Sequence, residues 1–382
     1  MRIVAIADTH FGSSSHLGRI NPKTGLHTRL EAFLRNFDTI IDYVLDNDVE
    51  LFIIAGDIYK TRSPSNTEQE EFAKRIARLG KADQQTLIST GNHDLWVSRG
   101  AAHTVAAIKA LAPDSVRIID EPEMVTVGNT KLGVMPYIYR QRLGVKTNAD
   151  ALLYYEKKLN EFRSHGATIL VGHQTVEGSK MPAGYAALDN LTEIVVPQKY
   201  LQGFDFCVYG HIHEYQVMST SPLTLYTGPL ERIDFSQSGK PVGFVVYDTS
   251  TKEHEFIELP AADLYYVKVD LTTGTGDVTQ RVLDKLDGAR LPNSIVTVSI
   301  KIRETDRIKL NTAAIEMALE GAKFSAGLKI DVERAHTSRD EQINETMSAE
   351  DALRKYIGGR EDLEDIATEL IKRGADIIKT CT

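Results

Sequence analysis

Five apolar segments of the chain are each followed directly by residues that can bind a metal ion. One of them, residues 51–55, ends in Gly56 and Asp57, the pattern of a buried strand that carries a carboxylate at its C-terminal end. The other four end in Asp8-Thr9-His10, Gly91-Asn92-His93-Asp94, Gly172-His173 and Gly210-His211-Ile212-His213. Oxygen and imidazole ligands at neighbouring strand ends predict a metal site assembled from five places.

Each of these short motifs, taken alone, is more often structural than catalytic. Together they follow one order, each comes after an apolar segment, and they use five of the 11 histidines. We therefore interpret the combination as metal chemistry rather than as coincidence or a requirement of the fold alone. Imidazole ligands mixed with carboxylate and amide oxygens favour Mn²⁺, Fe²⁺ or Zn²⁺ over Ca²⁺.

Strands alternate with helices between the motifs, which predicts an α/β fold. Residues 31–47 repeat apolar side chains at helical spacing, so we expect a helix that joins the first two strands as a βαβ unit. A second helix is expected to start with a capping box formed by Thr67 and Glu70. Strands at 223–226, 242–248 and 253–259 are expected to form a mostly antiparallel second sheet. The prediction for residues 1–260 is a two-sheet sandwich flanked by helices.

The pattern changes near residue 260. Residues 261–333 predict a β-α-β-α-β run without ligand residues at its strand ends, which we interpret as a small α/β capping domain that shapes a substrate groove. Residues 334–347 are polar and are expected to be a linker. Residues 348–382 predict a pair of helices, the first capped by Ser348 and Asp351, each with an apolar face.

Composition narrows the class of protein further. Hydrophobic residues make up 42% of the chain and charged residues 25%. The sequence contains no run of about 18 apolar residues, the length needed to span a membrane. Asp8 lies too near Met1 for a cleavable leader to precede it, and the two cysteines, Cys207 and Cys381, suggest no disulfide framework, so we expect a cytoplasmic protein. The net charge is −9, so a nucleic-acid partner would need a local basic surface.

Over residues 1–259 the motifs resemble the five-block signature of the calcineurin-like metallophosphoesterases. Longer blocks are similar to the SbcD nuclease family, the bacterial and archaeal relatives of the eukaryotic double-strand-break repair nuclease. These blocks are Ile-Ala-Asp-Thr-His-Phe-Gly at 6–12, Ala-Gly-Asp-Ile-Tyr-Lys-Thr-Arg-Ser-Pro-Ser at 55–65, His-Gln-Thr-Val-Glu-Gly at 173–178, Phe-Asp-Phe-Cys-Val-Tyr-Gly-His-Ile-His at 204–213 and Tyr-Thr-Gly-Pro-Leu-Glu-Arg at 226–232. The resemblance continues through the capping domain and the helical tail.

The resemblance implies a metallophosphoesterase fold and two divalent metal ions, with Mn²⁺ the expected species. It implies that one metal is held by Asp8, His10 and His213, the other by Asn92, His173 and His211, and that Asp57 bridges them. A cation pair of this kind suits in-line hydrolysis of a phosphoester. We expect His93 to protonate or stabilise the leaving oxygen, with Asp94 orienting its ring, the alternative being that His93 only packs.

Membership of the SbcD family would further imply Mn²⁺-dependent 3′ to 5′ exonuclease and single-strand endonuclease activity on DNA. It would also imply a homodimer, an SMC-like ATPase partner of the SbcC type that binds the C-terminal helices, and a nucleoid-associated location. One position departs from the pattern, because some members carry a second catalytic histidine where this chain has Lys60. A lysine binds phosphate but does not replace the proton transfer of a histidine near neutral pH.

The remaining expectations concern DNA and the alternatives to a nuclease. Six cations in loops beside the ligand strands or on the opposite rim are expected to contact phosphates, unless they are simply solvated: Lys60, Arg62, Arg99, Arg140, Arg142 and Arg232. A small-molecule or cyclic-nucleotide phosphodiesterase could use the same metal site. A non-enzymatic DNA-tethering subunit is the third possibility. The apolar face of the tail helices could also pack on the capping domain or on a dimer mate.

Overall fold

The computed structural model describes residues 1–12, 15–98, 100–180, 193–288, 290–333, 347–360, 363 and 366–381. Its strands, in chain order, are β1 (Arg2–Ile6), β2 (Leu51–Ala55), β3 (Thr86–Ser89), β4 (Val116–Ile119), β5 (Glu123–Val127), β6 (Thr130–Met135), β7 (Ile169–Gly172), β8 (Thr175–Val176), β9 (Val195–Val196), β10 (Phe206–Tyr209), β11 (Gln216–Thr220), β12 (Leu223–Tyr226), β13 (Gly243–Asp248), β14 (His254–Glu258), β15 (Asp263–Asp270), β16 (Ser294–Arg303) and β17 (Phe324–Glu333). The α-helices are α1 (Thr28–Asp46), α2 (Asn66–Lys81), α3 (Ala106–Leu111), α4 (Arg140–Leu143), α5 (Asn148–Ser164), α6 (Val278–Leu283), α7 (Glu304–Arg307), α8 (Thr312–Leu319), α9 (Ala349–Gly358) and α10 (Ala367–Cys381).

Two six-stranded sheets form the main body, as the predicted sandwich requires. The first has the order β14-β13-β1-β2-β3-β4 and the second the order β11-β12-β10-β7-β6-β5. Strands β1 to β4 pair in parallel, and so do β6, β7, β10 and β12 in the second sheet. The carboxyl ends of the parallel strands within each sheet therefore lie along one edge.

The expected membership of the second sheet was wrong for its last strands. β13 and β14 add to the first sheet, where β13 runs antiparallel to β1, whereas β12 pairs in parallel with β10. Alternation of apolar residues shows that a strand is half buried but does not show which sheet it joins. The second sheet is consequently parallel at its centre and antiparallel only at its edges.

Strand alternation divides the core into layers, since successive side chains point to opposite faces of a sheet. In β1, Ile3 and Ala5 face the layer between the two sheets, where they share a cluster with Val171 and Val208. The alternate residues Val4 and Ile6 lie in the outer layer beneath α1 and α2. Helix α5 covers the outer face of the second sheet. Cys207, a free and fully buried thiol, lies in that last layer, as its apolar setting predicts.

The capping box of α2 involves different residues from those expected. Ser65 is the N-cap, its side chain accepts from the amide of Glu68, and the Glu68 carboxylate accepts from the Ser65 amide in return. The helix begins at Asn66, just beyond Pro64, so the Ser-x-x-Glu pair two positions earlier than Thr67 and Glu70 satisfies the first free amides. At α9 the cap is Ser348 with Asp351, as predicted.

A third sheet, β15-β16-β17, is parallel and is built from the β-α-β-α-β run, with apolar residues of α6 and α8 in its cluster. A small apolar cluster formed by Leu17, Ala262, Leu264 and Ile295 connects this sheet to the main body. Helices α9 and α10 contact each other, and the space beside Gly374 is filled by Leu353. All of the predicted linker except Met347 lies outside the described residues. No helix among the described residues is long and apolar enough to cross a membrane.

Candidate active site

The five predicted strand ends meet between the two main sheets. Asp8 and His10 follow β1, Asp57 follows β2, Asn92 and His93 follow β3, His173 follows β7, and His211 and His213 follow β10. Two backbone bonds hold the first pair of ends together, because the amides of Asp8 and His10 donate to the carbonyls of Gly56 and Asp57 at 3.0 Å. The amide of His211 donates to Asp8 Oδ1 at 2.9 Å, which joins the second sheet to the first.

Their ligand atoms form two groups that share one carboxylate. Asp8, His10, Asp57 and His213 make the first group, and Asp57, His173 and His211 make the second, with the ligand atoms of each group within 4.8 Å of one another. Asn92 lies beside the second group, with its Oδ1 3.0 Å from Nδ1 of His211. The six charged or titratable residues thus form a candidate dinuclear site with Asp57 between its halves.

Strained backbone conformations are concentrated at the site among the residues that the structure describes. Seven described residues other than glycine have a positive φ, and four of them are Asp8 (53°), His10 (40°), Asp57 (56°) and His211 (93°). Such conformations cost about 1–3 kcal/mol each and persist only where the surroundings enforce them. Space is also tight, because a Cβ on Gly91 would lie 2.1 Å from Asp57 Oδ1. The backbone of these loops therefore holds the four side chains in the conformation that brings them together at the site.

The nitrogen and oxygen atoms at the centre are arranged for a cation. Nδ1 of His173 donates to the Ala55 carbonyl at 2.6 Å, which leaves the buried Nε2, without a hydrogen-bond partner among the described residues, 3.3 Å from Asp57 Oδ2. Nε2 of His10 and Nε2 of His213 are likewise 3.0 Å apart. Pairs of acceptor atoms at these distances repel each other unless a proton or a cation lies between them. The donor set therefore fits divalent cations.

The charges of the buried groups lead to the same conclusion. Burial, together with the nearby His213, lowers the pKa of His10 well below its ordinary value, so this ring is neutral and can act as a ligand. Burial alone would raise the pKa of Asp57, but the His173 and His10 rings hold it well below its usual range. Burial would lower the pKa of His173, yet Asp57 and Asp8 raise it to about 9. The two carboxylates thus attract positive charge to the centre.

His93 lies at the edge of the cluster rather than within it. Its ring is 4.9 Å, centroid to centroid, from the ring of His10 and nearly perpendicular to it. Its Nδ1 donates to the Lys60 carbonyl at 2.8 Å, and its amide donates to Asp57 Oδ1 at 2.8 Å. The first bond fixes the tautomer and leaves Nε2 available to a substrate.

Asp94 does not orient the His93 ring, contrary to the sequence-based expectation. Its carboxylate is fully buried and accepts from the amides of Ile58 and Gly91 and from the Thr104 hydroxyl. Those bonds tie the loop after β3 to the loop after β2. Burial and the nearby Asp57 carboxylate raise the pKa of Asp94 to about 6. Asp94 therefore positions the backbone, and the Lys60 carbonyl positions the ring.

Sequence reasoning missed Glu193, because it follows β7 by some twenty residues in a stretch without a periodic pattern. Its carboxylate, on a side chain only 8% exposed, accepts from Nε2 of His211 at 2.5 Å and also from the Thr175 hydroxyl. Burial alone would raise the pKa of Glu193, but the bond from His211 lowers it. A carboxylate behind a ligand imidazole fixes its tautomer and strengthens it as a ligand.

Two of the predicted phosphate-binding cations lie close to the site. Arg62 donates from Nε to the Asn92 carbonyl at 3.1 Å and from Nη2 to the Tyr139 hydroxyl at 2.7 Å. Arg142 donates to the Trp96 carbonyl at 3.0 Å and lies 3.6 Å from a Glu121 carboxylate oxygen. Both arginines therefore bond the backbone of the loop after β3, which carries His93.

The remaining cations are Lys60, Arg140, Arg232 and Arg99. Lys60 is half-buried, and this burial, together with the nearby positive charge of Arg29, lowers the pKa of its ammonium group. Arg140 bonds Asn148 at the start of α5. Arg232 was wrongly expected to contact DNA, because its guanidinium is buried and bound to the carbonyls of Lys240, Ala261 and Ala262. Arg99 lies outside the described residues.

This fold and site define a metal-dependent phosphoesterase. The sequence profile of the calcineurin-like phosphoesterases matches residues 1–215, more than half of the chain, which therefore belongs to that family. Exonuclease subunit 1 of Enterobacteria phage T4 is 22% identical over 333 residues, covering 87% of both chains. The DNA double-strand break repair protein Mre11 of Thermoplasma acidophilum is 22% identical and covers 97% of this chain and 94% of its own. The SbcD subunit of the nuclease SbcCD of Staphylococcus saprophyticus is 24% identical, covering 66% of this chain and 67% of its own.

Proposed function

We propose that this chain is a Mn²⁺-dependent DNA nuclease with 3′ to 5′ exonuclease and single-strand endonuclease activity, the nuclease subunit of a double-strand-break repair complex. The observation that carries the proposal is the convergence of four strand ends on two ligand groups that share Asp57, with Asn92 and His93 of a fifth strand end beside them. The three relatives described above are named as an exonuclease, a break-repair protein and a nuclease subunit. A DNA substrate would place the protein in the cytoplasm beside the nucleoid.

We assign the residues as follows. Asp8, His10 and His213 would hold one cation, Asn92, His173 and His211 would hold the other, and Asp57 would be their shared ligand. When bound, two divalent cations neutralise charge on a phosphoryl group and make water a better nucleophile. Mn²⁺ fits the mixed imidazole and oxygen donors, as Fe²⁺ and Zn²⁺ also do.

His93 completes the chemistry from the protein side. Because the Lys60 carbonyl holds Nδ1–H, proton exchange with the substrate occurs at Nε2. A protonated ring donates from Nε2 to the leaving oxygen and returns to its neutral form as the phosphoester bond breaks. Asp57 Oδ1 accepts from the His93 amide, which holds His93 next to the carboxylate that the two ligand groups share.

Residues 261–333 serve, in this proposal, as a capping domain that lines the DNA groove, and two copies of the chain associate as a homodimer. The tail helices bind an SMC-like ATPase of the SbcC type. Ile357 and Ala375 are buried in the helix pair, whereas Tyr356, Ile366 and Ile377 remain 51–63% exposed. Exposed apolar residues on paired helices are suited to a helix-in-groove contact. Light scattering measures the oligomeric state of the chain and so tests the homodimer. Binding of the tail helices to the ATPase is tested separately.

Deletion of residues 340–382 tests the tail. We expect the truncated chain to lose co-purification with its cognate ATPase while it keeps Mn²⁺-dependent cleavage of DNA. A truncated chain that is insoluble or inactive would instead show that these helices belong to the core of the nuclease.

The activity itself is tested by two substrates in parallel. Purified protein is incubated with Mn²⁺ and either bis(p-nitrophenyl) phosphate or labelled DNA with blunt, overhung and hairpin ends, with and without the ATPase. We expect cleavage of both substrates and a loss of both in Asp57→Asn. Hydrolysis of the small ester alone would favour a small-molecule phosphodiesterase. No hydrolysis of either substrate would favour a DNA-tethering subunit.

A further inference from the structure

Trp96 is exposed on the loop that carries His93. This side chain is 40% exposed, although a tryptophan usually buries most of its large apolar surface. It stands three residues beyond His93 in the same loop, on the side of the site formed by the end of β3. A partly exposed indole therefore stands three residues along the chain from the residue assigned to the leaving oxygen.

The loop that presents Trp96 is firmly held. Asp94 accepts three hydrogen bonds that fix the start of the loop, and its carbonyl accepts from the Thr104 amide at 3.0 Å. The carbonyl of Trp96 itself accepts from Nη1 of Arg142 at 3.0 Å. The exposure of the indole is thus a property of an anchored segment.

The Arg62 side chain places positive charge beside the indole and connects it to a second ring, that of Tyr139. The Arg62 guanidinium carbon lies 6.0 Å from the Trp96 ring centroid and 5.8 Å from that of Tyr139. Both Arg62 and the Tyr139 hydroxyl donate to the Asn92 carbonyl, at 3.1 and 3.0 Å. We call Trp96, Arg62, Tyr139 and Arg142 the aromatic-cation patch. It is connected directly to the backbone of an assigned metal ligand.

From this arrangement we propose that the aromatic-cation patch binds an unpaired nucleobase next to the scissile phosphate, with the base stacked on Trp96. The proposal rests on the proposed function and names the part of the DNA that this surface recognises. A base can stack on the indole, and the phosphates on either side can accept from the guanidinium N–H groups of Arg62 and Arg142 that do not bond the loop carbonyls. Bases inside a duplex are already stacked on both faces, so the patch favours frayed ends and single strands over the interior of a duplex.

The charge of the patch argues for DNA over a second copy of the chain. The patch contributes two arginines around one indole, although Glu121 lies 3.6 Å from Arg142, so two copies that meet patch to patch would bring like charges together. A polyanion with exposed bases complements both features at once, because arginine and aromatic rings act together in single-strand sites. A self-association through Trp96 is the alternative occupant, and the experiment separates it.

The experiment uses the fact that Trp96 is the chain's only tryptophan, so intrinsic tryptophan emission reports this residue alone. The intact chain in EDTA, which prevents cleavage, is titrated with (dT)₁₂ and with an abasic oligonucleotide of the same length. We expect (dT)₁₂ to shift or quench the emission and the abasic strand to leave it unchanged. Fluorescence anisotropy of labelled strands should show that both strands bind. Equal emission changes with the two strands would overturn the proposal.

Variants provide the second measurement. Trp96→Ala should weaken (dT)₁₂ binding about tenfold and affect the abasic strand little, whereas Trp96→Phe should retain most of the affinity. Leu153→Ala, which shortens another exposed apolar side chain on α5, is the matched control. Unchanged (dT)₁₂ affinity in Trp96→Ala overturns the proposal. A loss of affinity that accompanies a change in oligomeric state, measured by light scattering, also overturns it. Failure of the wild-type protein to bind (dT)₁₂ also overturns the proposal, whereas failure to cleave DNA in the presence of Mn²⁺ would refute the proposed function.

Discussion

Glu193 Oε1 lies 2.5 Å from Nε2 of His211, on the side of the ring opposite Nδ1. Because a carboxylate only accepts, the Nε2 proton points to Glu193, and Nδ1 is left to face Asn92 and the centre of the site. We therefore expect Glu193→Gln to weaken divalent-metal binding about 10- to 100-fold. Calorimetric titration with Mn²⁺ measures the affinity, and the visible spectrum of the Co²⁺ form reports ligand geometry.

Glu177→Gln is the control for that variant, since Glu177 is a nearby exposed carboxylate. The control should bind metal like the wild type. If Glu193→Gln also binds metal like the wild type and gives the same Co²⁺ spectrum, Glu193 does not position His211.

His93→Ala should retain metal binding and lose most DNA cleavage. The His93 ring takes no part in either ligand group, and proton transfer of the kind assigned to it contributes about 10²- to 10⁴-fold to rate. Single-turnover cleavage of labelled DNA measures the loss, and calorimetry with Mn²⁺ measures the metal. A matching loss of metal would identify His93 as a ligand.

Asp57→Asn should behave differently, because Asp57 belongs to both ligand groups. Replacing its charge weakens both cation positions, so raising the Mn²⁺ concentration should restore little cleavage. The test is a titration of activity with Mn²⁺ for this variant beside His93→Ala. Full rescue at high Mn²⁺ would argue against a shared ligand.

Replacing Lys60, Arg140 and Arg142 together by Gln should weaken DNA binding and reduce its salt dependence. Removing one phosphate-binding cation lowers the slope of log affinity against log salt by about 0.9 on a duplex, so the slope should fall by about 2 to 3. Fluorescence anisotropy at several salt concentrations gives the slope. Arg232→Gln is unsuitable for this set, because it would break bonds that tie residues 261–262 to the main body. An unchanged slope would remove the three cations from the groove.

Arg29→Met should destabilise the fold by about 3–5 kcal/mol, because it leaves Glu231 as a buried carboxylate without its cation. Nη1 of Arg29 lies 3.7 Å from Glu231 Oε1, and both side chains are nearly inaccessible. Urea denaturation followed by circular dichroism measures the difference. The double variant Arg29→Met, Glu231→Gln should lose less than the single variant, and an equal loss would show that the charge is not the cause.

The same variant carries a pH signature. Burial already raises the pKa of Glu231 above its ordinary value of 4.5, and Arg29 opposes that rise. Without Arg29 the pKa of Glu231 in the folded state increases further. The variant therefore loses stability as the pH rises from about 4.5 through that folded-state pKa, and it regains this stability on acidification. The destabilisation of Arg29→Met relative to wild type should therefore be smaller at pH 4.5 than at pH 7.5.

The sequence alone determined the local features of this protein. Apolar runs ending in ligand residues identified the strand ends, and the periodicity of residues 31–47 and 348–379 identified helices close to α1, α9 and α10. These features depend on neighbours within a few residues, which fix backbone preference and the buried face. The same runs located the candidate metal ligands, because the C-terminal ends of parallel strands meet at one edge.

Only the tertiary structure decided how distant segments meet. It placed β13 and β14 in the first sheet, directed Asp94 to backbone amides instead of to His93, buried Arg232 against carbonyls, and brought Glu193 to His211. In each case the partners are separated along the sequence, by a few residues in some pairs and by hundreds in others. The role of a buried polar side chain depends on which hydrogen-bond partners lie within its reach in the folded chain. Residue type and spacing show what a group can do, but the packed chain determines the atom on which it acts.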